Sequence, residues 1–177
     1  QWHKRAADKG HALSMWSLGN LYEKGLGTEV DEKLCAKWHL TAAEKGHVDS
    51  QIKIGKLYFS GTGVTENLTE AAHWYMCAAQ QGSDEAKVLL AHCYASGEGV
   101  PVDEEEAVRW MSYAAECGNT EALNYMGYWY QNGMMGFAQD DAAAFRWFSK
   151  SALQKDPWAQ YKLGALTEFG SGVPVNK

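Results

Sequence analysis

Five tryptophans recur along this chain at an almost constant interval. They are Trp2, Trp38, Trp74, Trp110 and Trp147, so the successive intervals are 36, 36, 36 and 37 residues. A tyrosine and a glycine repeat at the same interval, and these sets are Tyr22, Tyr58, Tyr94 and Tyr130, and Gly25, Gly61, Gly97, Gly133 and Gly170. A fixed period of this length is typical of tandem-repeat proteins, whose units pack mainly on their neighbours. The sequence therefore predicts a long core shared between successive units.

Each unit contains two stretches with the apolar spacing of an amphipathic helix. In the third unit the first stretch comprises Ala86, Leu90, Cys93, Tyr94 and Gly97, and the second comprises Ala107, Trp110, Ala114 and Cys117. Apolar residues recurring every three or four positions indicate helices, and the short loop between them indicates an antiparallel pair. We therefore predict an all-α fold, with residues 1–10 ending one repeat, full repeats at 11–46, 47–82, 83–118 and 119–155, and half a repeat at 156–177. Because both termini fall inside repeats, we expect a fragment of a longer array.

The loop between the two helices carries its own signals. The repeated glycine falls where each first helix ends, as a left-handed C-terminal cap requires. An Asp or Asn stands where each second helix begins, at Asp31, Asn67, Asp103, Asp140 and Asn176. These residue types accept hydrogen bonds from the free N–H groups of a helix start. Glu70 and Glu106 stand three residues further on, which predicts capping boxes in two repeats.

Small residues predict close packing of the helices. They stand at one position of the first helices, called here the reference position, which is Gly19, Gly55, Ala91, Gly127 and Gly164. We expect the repeated Trp and Tyr to fill the remaining space. Cys35 and Cys93 replace small or apolar residues of other repeats, which indicates core positions. A disulfide between Cys77 and Cys117 is the less favoured alternative, because pairing depends on a Cα separation that sequence does not give.

Composition and motifs argue against several classes of protein. The net charge is −6, whereas nucleic-acid binders usually carry a basic face. No run approaches the roughly 20 apolar residues of a membrane-spanning helix. Cys35 with His39, and His73 with Cys77, are pairs one helical turn apart, but a metal site needs three or four ligands. No nucleophile, base and orienting residue are placed together. We therefore predict no metal, no cofactor and no catalytic residue.

The repeat pattern resembles a known family. It reads Ala-x-x-x-Leu-Gly-x-x-Tyr-x-x-Gly-x-Gly-Val, then Ala-x-x-Trp, then Ala-Ala-x-x-Gly, and the second repeat matches it at Gly55, Tyr58, Gly61, Gly63, Val64, Ala71, Trp74, Ala78, Ala79 and Gly82. This pattern is similar to the Sel-one-like repeat, a relative of the tetratricopeptide repeat. The fourth repeat departs from it, with one extra residue near Gly133 and with Lys155 in place of the closing glycine.

The resemblance implies a fold and a function. The fold would be a right-handed α/α superhelical solenoid of antiparallel helix pairs. The function would be that of a non-enzymatic scaffold or adaptor that binds a peptide or partner domain. Two alternatives stay open, namely cell-wall-precursor binding or hydrolase activity, as suggested for some secreted bacterial relatives, and a purely structural spacer. The resemblance also implies a periplasmic or secreted bacterial protein, with the cytoplasm as the other possibility.

An exposed stripe on the first helices is the candidate binding surface. In tetratricopeptide-like arrays the first helices line a concave groove. Residues three before, one after and four after the reference position give Trp16, Asn20, Glu23; Ile52, Lys56, Phe59; Val88, His92, Ala95; Asn124, Tyr128, Gln131; and Tyr161, Ala165, Glu168. Of these we predict as partner-binding Trp16, Asn20, Lys56, Phe59, His92, Asn124, Tyr128, Gln131 and Tyr161, because aromatics supply contact area and amides pair with a peptide backbone. The alternative for Trp16 and Ile52 is packing between repeats.

Overall fold

The computed structural model describes residues 5, 7 and 10–168, and every regular element within them is a helix. The helices are α1 (Ala12–Lys24), α2 (Glu32–Glu44), α3 (Val48–Ser60), α4 (Leu68–Gln80), α5 (Asp84–Ser96), α6 (Glu104–Glu116), α7 (Thr120–Asn132), α8 (Asp141–Leu153) and α9 (Pro157–Glu168). Odd-numbered helices are the first helices of the repeats and even-numbered helices are the second. The predictions for Trp2, Gly170 and Asn176 lie outside the described residues.

The chain divides into two compact units. Unit 1 comprises residues 1–86 with 96–101, and unit 2 comprises residues 87–95 with 102–177. In unit 1, α1 packs on α2, α2 on α3, and α3 on α4. In unit 2, α6 packs on α7, α7 on α8, and α8 on α9. Within each unit these helices pack on their neighbours in the chain, as expected for a repeat array.

The second helices begin at the predicted caps. Asp31, Asn67, Asp103 and Asp140 each accept a hydrogen bond from the backbone N–H three residues later, at 2.9, 3.1, 3.0 and 2.8 Å. The predicted capping boxes are wrong, because the cap residue's own N–H is already used. The N–H of Asn67 donates to the carbonyl of Tyr58 at 2.9 Å, and that of Asp103 donates to Tyr94 at 3.0 Å. This bond closes the loop onto the preceding helix and leaves Glu70 and Glu106 without a capping role.

The first helices end at the predicted glycines. Gly25, Gly61 and Gly133 cap their helices with φ of 65°, 69° and 64°, a left-handed conformation that glycine adopts without steric cost. In the second helices the left-handed glycine stands two residues after the last helical residue instead of one, at Gly46, Gly82 and Gly118. Lys155 occupies the equivalent place in the fourth repeat and is forced to φ 67°. An L-residue there is strained by roughly 1–2 kcal/mol.

Close helix packing centres on the glycines at the reference position. A Cβ on Gly19 would lie 2.6 Å from the ring of His39, and one on Gly127 would lie 2.5 Å from that of Phe148. These rings belong to the residue that follows the repeated tryptophan, and both are 0% exposed. Of the repeated tryptophans, Trp38, Trp74, Trp110 and Trp147 are only partly buried. Trp74, for example, packs against the outside of the cluster around Ile54.

The positions of the cysteines confirm the prediction that Cys35 and Cys93 are core residues. Cys35 and Cys93 are each 2% exposed, as expected of core residues. No disulfide joins Cys77 to Cys117. Cys77 lies beside His73 on α4, with 3.7 Å between Sγ and Nε2.

Candidate functional site

The predicted stripe is only partly exposed. Ile52 and Val88 are 7% and 2% exposed, so their inclusion in the exposed stripe is corrected. Both occupy the position three before the reference residue. Val88 is part of the core around Met111 and Leu123, which shows that this position faces neighbouring helices rather than solvent in that repeat. Packing, the alternative for Ile52, is confirmed.

The residue one after the reference position contacts the next first helix of the array. Lys56 Nζ on α3 pairs with Glu85 Oε1 at 2.5 Å, and His92 Nε2 on α5 lies 3.9 Å from Glu121 Oε1. Glu85 and Glu121 are both six residues before their reference positions. We call this arrangement the cross-repeat pair. On α7 and α9 the two positions hold the aromatic residues Tyr128 and Trp158 instead of charged ones.

Around these two residues lies a pocket of about 580 Å³. We call it the aromatic pocket, and its lining residues are Thr120, Glu121, Asn124, Tyr125, Tyr128, Asp156 and Trp158. Trp158 is held edge-on against the buried ring of Phe148, with 5.3 Å between the centroids. The Tyr125 ring is held in the same way by His92, at 4.6 Å. The apolar walls are therefore positioned by neighbouring rings.

The polar groups of the aromatic pocket are fixed by α9. Asp156 accepts from the backbone N–H of Ala159 at 2.8 Å and from Asn124 Nδ2 at 3.1 Å. These bonds orient the Asn124 amide, and its Oδ1 is buried without a hydrogen-bond partner. A buried unpaired acceptor costs about 1–3 kcal/mol. Asn124 is therefore fixed in the wall of the pocket, with one buried acceptor that has no partner.

A lysine lies over the aromatic walls. Lys162 Nζ is 5.9 Å from the ring centroid of Tyr128 and 5.1 Å from that of Trp158. It also donates to Gln131 Oε1 at 3.2 Å. These three contacts hold the ammonium group of Lys162 beside the pocket. The two carboxylates of Glu121 and Asp156 outnumber this one cation, so the surroundings of the pocket carry a net negative charge.

The other predicted residues are distributed over both units. Trp16, Asn20 and Lys56 line a cavity of about 440 Å³ in unit 1. Phe59 and Tyr161 are 40% and 71% exposed and line neither this cavity nor the aromatic pocket. The structure thus brings Asn124 and Tyr128 together in one pocket and places the remaining predicted residues elsewhere.

Five lining residues of the aromatic pocket were missed from the sequence. They are Thr120, Glu121, Tyr125, Asp156 and Trp158. Glu121 and Trp158 stand six before the reference position, and Tyr125 stands two before it. These two positions also vary between repeats, so a stripe that included the positions six and two before the reference residue would have contained all three side chains. In the sequence Asp156 resembles the other Asp and Asn residues that begin helices. Nothing in the sequence indicates that it also contacts Asn124.

A second cluster of polar side chains lies inside unit 1. Glu23, Cys35 and His39 each bring one potential ligand atom to within 4.8 Å of the other two. Cys35 and His39 are one turn apart on α2, as noted from the sequence, and Glu23 comes from the end of α1. We call these three residues the Glu-Cys-His cluster. The sequence showed the pair but not the third residue, which approaches from another helix.

The charge states of the cluster do not suit nucleophilic catalysis. Burial, with Glu23 as a lesser cause, raises the pKa of the Cys35 thiol to about 11. Burial, with Lys53 as a lesser cause, lowers the pKa of His39 to about 4. At neutral pH both groups are therefore uncharged, whereas a catalytic cysteine requires a lowered thiol pKa. Cys35 is also only 2% exposed, which leaves little access for a substrate.

His39 is an unusual core residue. It is 0% exposed, and neither Nδ1 nor Nε2 has a hydrogen-bond partner. The equivalent residues of the next three repeats are Tyr75, Met111 and Phe148, which are 3%, 0% and 0% exposed. Because most buried polar groups are hydrogen-bonded, an imidazole with two unpaired nitrogens needs an explanation.

Comparisons with known proteins define the class. The Sel1 repeat family model matches residues 1–11, 12–47, 48–83, 84–119, 120–156 and 159–177. The chain belongs to the Sel1 repeat family. The predicted class, an all-α solenoid of helical pairs, is thereby confirmed, and members of this family are generally protein–protein interaction scaffolds. None of the curated proteins matches the chain.

Two solved structures are similar in sequence as well as fold. One is a protective antigen of uropathogenic Escherichia coli strains that displays an SLR fold, with 34% identity and a TM-score of 0.92. The match covers 99% of this chain but only 37% of that protein. The other is a Sel1 repeat protein from Oxalobacter formigenes, with 32% identity over 95% of this chain and 69% of that one, and a TM-score of 0.87. A Klebsiella pneumoniae protein at 20% identity and a TM-score of 0.61 shares the fold.

Membrane crossing finds no support in the described residues. None of their helices combines the length and the apolar character that a bilayer span requires.

Proposed function

We propose that this protein is a non-enzymatic interaction scaffold whose aromatic pocket binds a peptide segment of a partner protein. The observation that carries the proposal is the exchange at the cross-repeat pair. Where other repeats place Lys56 with Glu85, or His92 with Glu121, the same positions on α7 and α9 hold Tyr128 and Trp158, which line a pocket of about 580 Å³. An exposed ion pair is well solvated, whereas exposed rings with oriented polar groups are typical of recognition surfaces.

The chemistry of the pocket indicates what kind of peptide fits. Tyr125, Tyr128 and Trp158 supply flat apolar area, and aromatic residues often dominate the free energy of binding. Asn124 Oδ1 is buried without a partner, and we propose that the pocket wall shifts on binding so that it accepts from a backbone N–H or a side-chain ammonium or guanidinium group. Glu121 adds a carboxylate whose side chain is 62% exposed. We therefore propose a peptide that places a Lys or Arg in the pocket.

The charge of the whole chain supports the same partner. A net charge of −6 favours association with basic segments and disfavours acidic ones. The unit 1 cavity supports binding less well, because ion pairs span it. Lys56 pairs with Glu85 and Lys53 pairs with Glu23, both at 2.5 Å, so a ligand there has to displace existing partners.

The remaining predicted face contributes secondarily. Tyr161 in unit 2 is an exposed aromatic side chain of a first helix, and so is Phe59 in unit 1. Trp16 packs against His47, with ring centroids 5.6 Å apart, and so is held in the framework of unit 1. Under the proposal, the aromatic pocket anchors the peptide and Tyr161 extends the contact within unit 2.

Selection from a random peptide library tests the proposal. Peptides enriched on the immobilised chain are measured by fluorescence anisotropy against the wild type and the variants Tyr128→Ala, Trp158→Ala and Asn124→Ala. We expect enriched peptides to contain Lys or Arg. We also expect each variant to weaken binding by at least about tenfold, since anchor residues contribute about 2 kcal/mol or more.

Two variants serve as matched controls, and circular dichroism establishes that all variants fold. Leu153→Ala removes an exposed apolar side chain of unit 2 that lies outside the pocket and outside the predicted stripe. Lys56→Glu alters the unit 1 cavity. Enriched peptides that lose binding with Lys56→Glu and keep it with Tyr128→Ala would move the site to unit 1. A library that yields no specific peptide would favour the structural spacer.

A further inference from the structure

Three exchanges distinguish the first repeat from the three that follow. Cys35 stands where the others have Ala71, Ala107 and Ala144, His39 where they have Tyr75, Met111 and Phe148, and Glu23 where they have Phe59, Ala95 and Gln131. The exchanged residues come from two helices. Nevertheless their side-chain ligand atoms all lie within 4.8 Å of one another. Three polar exchanges that converge on one place indicate a shared role rather than separate adjustments of packing.

His39 independently indicates a missing partner. Its ring is fully buried, and both nitrogens lack a hydrogen bond. Gly19 accommodates the ring edge that carries Nε2, Cδ2 and Cε1, so the imidazole is held in place by backbone packing. A neutral imidazole has one nitrogen with a free lone pair, and in proteins such a nitrogen accepts a hydrogen bond or binds a metal.

We propose that the Glu-Cys-His cluster binds a divalent transition-metal ion, with Zn²⁺ as the best match to its ligands. Thiolate sulfur, imidazole nitrogen and carboxylate oxygen are the three ligand types that Zn²⁺ uses in proteins. Mg²⁺ and Ca²⁺ prefer oxygen ligands, so a Cys and a His disfavour them. Binding replaces the proton of the Cys35 thiol with a metal–sulfur bond and releases that proton to solvent.

The distances require a small closure of the cluster. Ligand atoms around tetrahedral Zn²⁺ are about 3.3–3.8 Å apart, given bond lengths of about 2.0–2.3 Å. The present spread of up to 4.8 Å therefore has to contract by about 1 Å. Glu23 is the residue that can move, because its side chain is 39% exposed and stands in the last turn of α1. Its partner Lys53, paired at 2.5 Å, has to be displaced.

Two cavities border the cluster. The cavity of about 440 Å³ is lined by Glu23 and His39, and a cavity of about 350 Å³ is lined by Glu23 and Cys35. Lys53 lines both. These cavities provide a route for the ion and space for a water molecule as a fourth ligand. A site with three protein ligands and one open position is a known arrangement for zinc.

Metal titration of the full chain tests the proposal. Chelator-treated protein is titrated with Co²⁺ and Zn²⁺, and sulfur-to-cobalt charge-transfer absorption, metal content and thermal melting are recorded. We expect one equivalent of bound metal, a charge-transfer band that Zn²⁺ abolishes, and a higher melting temperature with metal, because a ligand that binds only the folded state stabilises it.

The other repeats supply the variants. Cys35→Ala, His39→Phe and Glu23→Gln each introduce the residue of a related repeat, so all three are expected to fold. The first two should abolish the band. Glu23→Gln should weaken binding by more than about tenfold, the loss that even an outer-shell partner of a metal site causes. Lys53→Met should strengthen binding, because it removes the cation that competes for Glu23.

A matched control lies on α4. His73 and Cys77 have the same spacing as Cys35 and His39, with Sγ 3.7 Å from Nε2, but among the described residues no third ligand joins them. The double variant His73→Ala, Cys77→Ala should leave metal binding unchanged. The proposal is overturned if the wild type binds no Co²⁺ at micromolar concentration. It is also overturned if the band survives Cys35→Ala and disappears in the α4 variant.

Discussion

The first and fourth repeats place different side chains on the same framework. In both, a glycine of the first helix lies against a fully buried ring of the second helix, namely Gly19 against His39 and Gly127 against Phe148. Around the first ring are a thiol and a carboxylate, and around the second are Ala144 and Gln131. The glycine therefore determines that a flat ring fits, and it leaves the polarity of the ring free to change.

The same contrast holds at the protein surface. At the two positions of the cross-repeat pair, Lys56 and Glu85 form an ion pair, whereas Tyr128 and Trp158 line the aromatic pocket. The first repeat thus combines the Glu-Cys-His cluster with an ion pair from Glu23 to Lys53, while the fourth repeat combines the buried ring of Phe148 with the aromatic pocket. A repeat framework allows this difference because the glycines and cap residues that fix its backbone stand at different positions from the side chains that vary.

The largest expected effect concerns the apolar ring of the fourth repeat. Phe148→Ala should lower the free energy of unfolding by about 3–5 kcal/mol, because it leaves a cavity against Gly127 and removes the ring that supports Trp158. Chemical denaturation measures the change. The exposed Tyr161→Ala serves as the control and should change stability by less than about 0.5 kcal/mol. Equal effects of the two variants would contradict the core role of Phe148.

Sequence patterns predicted the features of this framework that depend on local geometry. Helical spacing, the glycine caps at Gly25 and Gly61, and the N-caps at Asp31 and Asn67 involve residues close in the chain, and the structure confirms them. Features that depend on how helices are rotated against each other were missed. Val88 was assigned to the exposed face, although neighbouring helices bury it.

The two candidate sites were missed in part for the same reason. Glu23 reaches Cys35 and His39 from a different helix, and whether Tyr128 and Trp158 line one pocket depends on the register between repeats. Periodicity within one helix contains neither piece of information. The family likeness also could not supply them, because both sites depend on residues that differ from one repeat to the next.

The second expected effect is a pH dependence that arises from the first repeat. Burial holds the pKa of His39 at about 4, compared with 6.5 when unfolded, with Lys53 and His47 adding to the decrease and Glu23 opposing it. Between these values the unfolded chain binds more protons, so the stability contributed by neutral His39 is present above pH 6.5 and is lost as the pH falls towards 4. The full loss is about 3 kcal/mol.

Chemical denaturation of metal-free protein between pH 7 and pH 4 measures this dependence. Other groups titrate over the same range, so the relevant quantity is the difference between wild type and His39→Phe, which has no imidazole at this position. The difference in stability should grow in favour of the variant as the pH falls. A difference that does not depend on pH would show that His39 is not held neutral by burial.

At neutral pH the same substitution should have a smaller effect. Without metal, His39→Phe should stabilise the chain by about 1–3 kcal/mol, because it removes the buried nitrogens that have no hydrogen-bond partner. Phe148 shows that the framework accommodates a phenylalanine at the equivalent place. With Zn²⁺ present the order should reverse, since only the wild type gains stability from the metal. Destabilisation by the variant in metal-free buffer would show that the nitrogens have partners in solution.

The smallest expected effect concerns the backbone at the ends of the second helices. Gly46 in the first repeat and Lys155 in the fourth adopt the same left-handed conformation, with φ of 83° and 67°. Lys155→Gly should therefore stabilise the chain by about 1 kcal/mol, because the relief of left-handed strain is partly offset by the greater freedom of glycine in the unfolded chain. Gly46→Ala should destabilise it by a similar amount. If Lys155→Gly instead lowers stability, contacts of the Lys155 side chain outweigh the strain of its backbone, and the fourth repeat differs from the first in its helix termination as well as in its core.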